Sequence, residues 1–392
     1  MSDPPRPEAR RALAACRRAG IVVGVLTGDH PLTALAVARD LGLAEHAGQV
    51  CSGAELDAAA ARGVQDFDAL CARSRVFARV EPEQKLRIVQ SLQRGGHFVA
   101  VTGDGVNDAP ALRAAQVGVA MGWRGTDVAR EASDIVLTDD NFASIVAGVE
   151  EGRIAYANVR KVIFLLVSTG AAEIVLFGLA LAAGLPLPLL AVQLLWLNLV
   201  TNGVQDVALA FEPAEGSELD QPPRPPQEGI FNRLMLERVL LSALLIGGGA
   251  FWLYQRLLGL GDSVEEARNV TLLLLVLFEN VQAFNSRSET LSACTQHPLH
   301  NPFLLLGVLA AQGLHIGAMY TPGLQRLLGL APVSAAHWGE LLVAASTLLL
   351  LSEAHKAWMR RFPRSGGRRG GAGPRTRARR RARSRDPGEL RR

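Results

Sequence analysis

The chain has 392 residues, with 41 Lys and Arg against 37 Asp and Glu and a formal net charge of +4. Apolar residues make up 49% and 39 residues are glycine. With glycine counted in, that exceeds the roughly 45–50% of soluble globular chains and excludes a disordered or collagen-like chain. Four scattered cysteines (Cys16, Cys51, Cys71, Cys294) form no CxxC pair and exclude a disulfide scaffold.

The charge is unevenly spread. Residues 360–392 hold 14 Arg against Asp386 and Glu389, a local +12 that leaves −8 for the rest. The basicity belongs to this tail, read as a disordered segment near anionic lipid, so no nucleic-acid partner is expected.

The opening residues have no apolar core, so no signal peptide is predicted. Up to Asn141, short β-branched runs alternate with helical stretches. Strands are expected at Ile21–Leu26, Val76–Ala78, Phe98–Val101, Val117–Ala120 and Ile135–Leu137. Helices are expected at Glu8–Arg18, Thr33–Asp40, Glu83–Gln93 and Thr126–Glu131. Such alternation reads as an α/β Rossmann-like domain, a doubly wound parallel sheet with helices on both faces.

After Asn141 the character changes. Between Val162 and Phe211, 50 residues, only Glu173 and Asp206 are charged. The turn Gly184–Pro188 divides that run into two segments, each long enough to span a bilayer. Further apolar stretches lie at Val239–Gln255, Asn269–Phe284, Phe303–Tyr320 and Ala335–Ser352. Six spans are expected, an all-α transmembrane bundle with both termini on one side. Arg153, Arg160, Lys161 and the arginine tail place that side in the cytoplasm. No proline interrupts Asn141–Leu185, which at 1.5 Å per residue predicts a helical rod of about 65 Å.

The strand at Phe98–Val101 runs into Thr102-Gly-Asp-Gly-Val-Asn-Asp-Ala-Pro110. Ligands bind at the C-terminal ends of strands in open parallel sheets. Asp104 and Asp108, four apart on a turn entering a helix, suit Mg²⁺ as hard oxygen ligands. An acidic turn alone is more often a plain helix cap. Thr27-Gly28-Asp29 ends another strand, where a hydroxyl and backbone N–H groups can hold phosphate oxygens. Lys85, one of three lysines against 38 arginines, offers a compact ammonium to a phosphoryl oxygen.

Along the second span, Asn198, Thr201, Asn202, Gln205 and Asp206 fall at i, i+3, i+4, i+7 and i+8, one polar stripe on an α-helix. Glu173 lies on the first span and Glu279, followed by Gln282, on the fourth. Amides and hydroxyls in spans commonly just bond helix to helix. Carboxylates there cost roughly 2.5–3.5 kcal/mol each on insertion scales, which favours a cation site.

The strings TGDH, FARVEPEQK, TGDGVNDAPAL, DIVLTDDNFASIVAGVEEGR and LLWLNLVTNG resemble P-type cation-transporting ATPases of the calcium- and sodium-pump branch, within the haloacid dehalogenase superfamily. The resemblance implies a haloacid dehalogenase-like partial phosphorylation domain (1–141), a stalk helix (142–161), a C-terminal membrane bundle (162–358) and a basic tail (359–392). It assigns phosphate or nucleotide contacts to Thr27, Gly28 and Asp29, the phosphoryl group to Lys85, Mg²⁺ to Asp104, and the surroundings of both to Asn107 and Asp108. It places Glu173, Asn198, Thr201 and Glu279 at the transported cation. Gly170 and Asn202 stand where calcium pumps have Asn and Asp, and Asp206 restores the lost charge.

The DKTGT motif that bears the family's catalytic aspartate does not occur in this sequence. The expectation is therefore the C-terminal portion of an ATP-driven pump for a hard cation, calcium first, using Mg²⁺ and ATP. The nucleophile, actuator and nucleotide-binding domains would come from elsewhere, such as a separate chain, and a gap is expected in the sheet. The expected setting is a multi-pass protein of a bacterial plasma membrane. The alternative is a non-catalytic cation-binding or regulatory membrane protein. A membrane-tethered phosphatase is disfavoured because it too needs the missing aspartate.

Overall fold

The computed structural model describes residues 7–225 and 228–362. The expected basic tail beyond residue 362 and the first six residues lie outside the described residues.

An N-terminal α/β lobe runs α1 (Pro7–Arg18), β1 (Val25–Thr27), α2 (Pro31–Asp40), β2 (Val50–Ser52), α3 (Gly53–Arg62), α4 (Val64–Arg73), β3 (Val76–Ala78) and α5 (Pro82–Arg94). It continues with β4 (Ala100–Gly103), α6 (Ala109–Ala114), β5 (Val117–Met121), α7 (Asp127–Glu131) and β6 (Ile135–Leu137). The helix starts follow local chemistry. Ser52 and Glu55 form a reciprocal capping box on α3. Pro82 opens α5, where its missing N–H costs nothing. Thr126 accepts from Ala129 N to cap α7.

The expected parallel sheet is divided in two, in keeping with the gap expected in it. Strands β1-β3-β2 form one three-stranded parallel sheet and β4-β5-β6 another. Strands β1 and β4 are therefore both edge strands, with unpaired backbone groups along one side. Helix α5 bridges the division: Ile88 packs with Cys51, Phe77 and Val80, while Val89 packs with Val99 and Ala111.

The second half is helical. It comprises α8 (Phe142–Ala182), α9 (Ala191–Trp196), a π-helical stretch (Leu197–Asn202), α10 (Gly203–Ala210), α11 (Arg233–Leu260), α12 (Val264–Ser286), α13 (Pro302–Tyr320), α14 (Pro322–Leu328) and α15 (Ala335–Arg361). Stalk and first span are one helix of 41 residues, about 60 Å long. Among the described residues five helices, α8, α11, α12, α13 and α15, are long and apolar enough to cross a membrane. The second expected span is the exception. It is an interrupted helix, α9–π–α10, because its middle turn is wound with wider hydrogen bonds. The expected single α-helical stripe of polar groups is corrected with it.

Helix α12 is the axis of the bundle, and most of its residues are buried. Helices α8 and α11 approach closely at Gly247, where an added Cβ would lie 2.4 Å from Ala172 O and 2.8 Å from Val175 Cβ. The end of the bundle nearest the lobe is tied by buried charges. Arg287 pairs with Glu212 at 2.8 Å, both side chains 5% exposed or less. Arg160 donates through Nε to Glu289 at 2.9 Å, and Lys161 lies 3.4 Å from Glu215. Arg160 and Lys161 are thus buried partners of loop carboxylates rather than groups facing lipid headgroups. Arg153 of α8 donates to Glu218 O and Gln221 O at 2.6 and 2.8 Å and to Ala19 O at 3.2 Å, binding the rod to the end of α1.

Candidate functional site

The phosphate-site residues gather at the C-terminal ends of the two edge strands. The loop after β1 closes on itself when Asp29 N donates to Thr27 Oγ1 at 3.1 Å. That loop is held by the turn after β3, whose Arg79 N and Val80 N donate to Asp29 O and Thr27 O. Gly28 and Asp29 are exposed. From the same turn α5 carries Lys85 toward the second sheet, where its ammonium donates to Asp108 Oδ1 at 2.7 Å. Both side chains are less than one-fifth exposed.

The other oxygen of Asp108 accepts from Asp104 N and Gly105 N at 3.3 and 3.2 Å. Gly103 makes this turn fit, since a Cβ there would lie 2.5 Å from Asp108 Cβ. Asp108 is therefore committed to Lys85 and to the backbone, and the open carboxylate of the turn belongs to exposed Asp104. Asn107 is exposed beside it. Among the described residues no cluster of three or more His, Cys, Asp or Glu could hold a metal. A site of one or two carboxylates is what Mg²⁺ takes when phosphate and water supply the remaining ligands, so the donor set fits that ion. The structure brings Lys85, Asp104 and Asp108 together. It joins the Thr27–Asp29 loop to them only through the β3–α5 turn.

The membrane site is built on α8, the interrupted helix and α12. Asn198 Nδ2 donates to Glu173 Oε1 at 2.9 Å. Thr201, wholly buried, donates its hydroxyl to Glu279 Oε2, and Glu279 is 2% exposed. Asn202 Nδ2 donates to Thr169 Oγ1 at 3.2 Å. Gln205 Nε2 donates to Asn280 Oδ1, and Asn280 Nδ2 to Gln312 Oε1, each at 2.8 Å. Gln282 binds Ser168 and Ser242 at 2.9 and 3.0 Å. Thr169, Asn280 and Gln312 are additions to the residues the sequence singles out. Asn280 follows Glu279 directly, and Gln312 is an isolated amide in an apolar span.

The decisive feature is what stays unbonded. Asn202 Oδ1, Gln205 Oε1, Asp206 Oδ1 and Glu279 Oε1 are buried and have no hydrogen-bond donor. All four are acceptors. Buried acceptors without partners are costly, and a cation is the ligand that would satisfy several at once.

Residues 186–358 match a family model described as cation transporting ATPase, C-terminus, and residues 1–116 match one described as haloacid dehalogenase-like hydrolase. Both halves of the chain are thus similar to parts of cation-transporting P-type ATPases. It is 42% identical over 355 residues to the probable cation-transporting ATPase F of Mycobacterium tuberculosis, covering 90% of this chain and 39% of that protein. It is 40% identical over 340 residues to a calcium-transporting ATPase of Bacillus subtilis, covering 86% and 37%. With the cation-transporting ATPase pma1 of Synechocystis it shares 41% over 345 residues, covering 86% and 38%. The chain thus spans about two-fifths of the length of these relatives.

Proposed function

We propose that this chain supplies part of the phosphate site and most of the ion path of an ATP-driven pump for a hard cation, with calcium the first candidate. The four unbonded acceptor oxygens around Asn202, Gln205, Asp206 and Glu279 carry this reading. Thr201 bonds Glu279 of this set, and Asn198, one turn before Asn202, bonds Glu173 of α8. The donors are oxygens without sulfur, which favours hard cations over copper or zinc. The name of the Bacillus subtilis relative supports calcium. Gly170 and Asn202 depart from the calcium-pump pattern, and Asp206 brings in the compensating carboxylate.

At the lobe, Asp104, with Asp108 beside it, would hold Mg²⁺, which supplies charge neutralisation to a phosphoryl group. Lys85 would meet a phosphoryl oxygen, with Asp108 orienting its ammonium. Thr27, Gly28, Asp29 and Asn107 would contact phosphate or nucleotide. The attacking aspartate would come from outside these 392 residues, in a longer chain or a separate one. The buried ion pairs along α8 support the rod as the link from phosphate to cation. In this reading the bundle crosses a bacterial plasma membrane with the lobe in the cytoplasm.

Calcium titration of the detergent-purified chain by calorimetry tests the cation half. Saturable binding is expected, weakened at least about tenfold in Glu279→Gln by loss of a charged ligand. Binding unchanged in Glu279→Gln and Glu173→Gln alike would overturn the assignment. Saturable binding that never responds to phosphorylation, once the aspartate-bearing part is supplied, would instead favour a non-catalytic cation-binding protein.

A further inference from the structure

A cavity of about 530 Å³ opens between α11, α12 and α15, against Leu274 and Phe278 of α12. Its walls are apolar, with Leu245, Gly249, Leu253, Phe278, Val343 and Ala344 among them. From Leu245 to Arg256 it follows α11 for roughly 16 Å, half of a ~30 Å hydrocarbon core and so the depth of one leaflet. Its mouth lies at the end of the bundle opposite the α/β lobe. There Tyr254 Oη donates to Pro186 O at 3.2 Å and Arg268 Nε to Leu187 O at 2.8 Å, both in the loop that follows α8.

At the mouth, Arg256 Nη1 lies 3.4 Å from Glu340 Oε2, with side chains 43% and 49% exposed. The guanidinium also stands 5.5 Å over the ring of Trp252, itself 59% exposed. Tryptophan and arginine at this depth mark the headgroup level. One cation and one anion therefore sit side by side above an apolar slot of one-leaflet length.

We propose that this cavity is a binding site for a single zwitterionic phospholipid with a primary ammonium headgroup. The acyl chain fills the slot, the phosphate binds Arg256 and the ammonium binds Glu340. A transmembrane helix is too large, since 30 Å of helix about 10 Å wide displaces roughly 2,400 Å³. An anionic phosphatidylglycerol brings no ammonium to Glu340, and the quaternary ammonium of phosphatidylcholine has no N–H to donate to it. The proposal requires only that the bundle lies in a bilayer and is independent of any transport activity.

Native mass spectrometry of the delipidated full chain tests it. Phosphatidylethanolamine, phosphatidylcholine and phosphatidylglycerol of identical acyl chains are added back in equal amounts. Phosphatidylethanolamine should be retained about tenfold over the other two, the value of one charge-assisted hydrogen bond. Glu340→Gln, a rim substitution, should erase that preference while the chain still retains lipid. Ala344→Trp, which fills the slot, should lower retention of all three. Equal retention of the three lipids by the unaltered chain, or a preference that survives Glu340→Gln, would overturn the proposal.

Discussion

The ammonium of Lys85 lies 2.7 Å from Oδ1 of Asp108, although the two residues are 23 apart and belong to units on opposite sides of a divided sheet. The same carboxylate holds the amides of Asp104 and Gly105. One side chain thus shapes the acidic turn and tethers it to α5.

Removing either end of this contact should have distinguishable effects. In Asp108→Ala, hydrogen exchange of the Asp104 and Gly105 amides should accelerate, because both lose their acceptor. In Lys85→Met those amides should stay protected. Each substitution should still cost about 1.5–3 kcal/mol at a charge-assisted hydrogen bond. Equal acceleration in both variants would show that the Lys85–Asp108 pair, not Asp108 by itself, orders the turn.

A polypeptide of these 392 residues, incubated alone with labelled ATP and Mg²⁺, should form no acid-stable phosphoenzyme. Asp29 and Asp104 are exposed on loops, and Asp108 is already bonded to Lys85. A hydroxylamine-sensitive aspartyl phosphate would show that one of them attacks.

The cysteines should differ sharply in reactivity. Burial, reinforced by Glu55 and Cys71, pushes the Cys51 thiol up to about 12. Burial also raises Cys16 and Cys71, whereas Cys294 is exposed. Because the thiolate is the nucleophile, iodoacetamide at pH 8 should label Cys294 first and the other three only after unfolding. In the unfolded chain these thiols release protons near pH 8.5. The folded lobe keeps them, so its stability is full below that pH and falls as pH rises toward 12. Cys51→Ala should flatten that decline, read as the midpoint of chemical unfolding against pH.

The α8–α11 contact should tolerate no side chain at Gly247. Gly247→Val forces atoms into Ala172 O and Val175 and should cost about 1–3 kcal/mol or more through overpacking. Gly248→Ala, with nothing within 4 Å of the new Cβ, should hold or raise the melting temperature. Thermal unfolding in detergent compares the two. Equal losses would mean that the close approach at Gly247 does not govern this segment.

Much of the lobe was legible because its strands are short β-branched runs between helical patterns. Val76–Ala78 and Ile135–Leu137 form where the pattern places them. The run Ile21–Leu26 is different: only Val25–Thr27 pairs, since β3 offers three residues and β1 has no neighbour on its other side. Strand β2 escapes notice because three residues beside a capped helix carry no alternation. In the membrane the carboxylates stood out by their cost, whereas Thr169, Asn280 and Gln312 did not. An amide in a span reads as ordinary helix-to-helix bonding until its partner is seen.

The wide turn at Leu197–Asn202 gives the ion path a dependence on residue count as well as residue type. An α-helix advances about 100° per residue, so every residue beyond the wide turn is held out of phase with those before it. Rewinding Leu197–Asn202 as plain α-helix with every residue kept would swing Gln205 and Asp206 by about that angle and take Gln205 away from Asn280. Deleting one residue there would let the segment rewind while Gln205 and Asp206 stay in phase, because the wide turn takes up one residue more than an α-turn. Two chains that differ by one position here would therefore keep the same oxygens beyond the turn only if one winds it wide and the other does not.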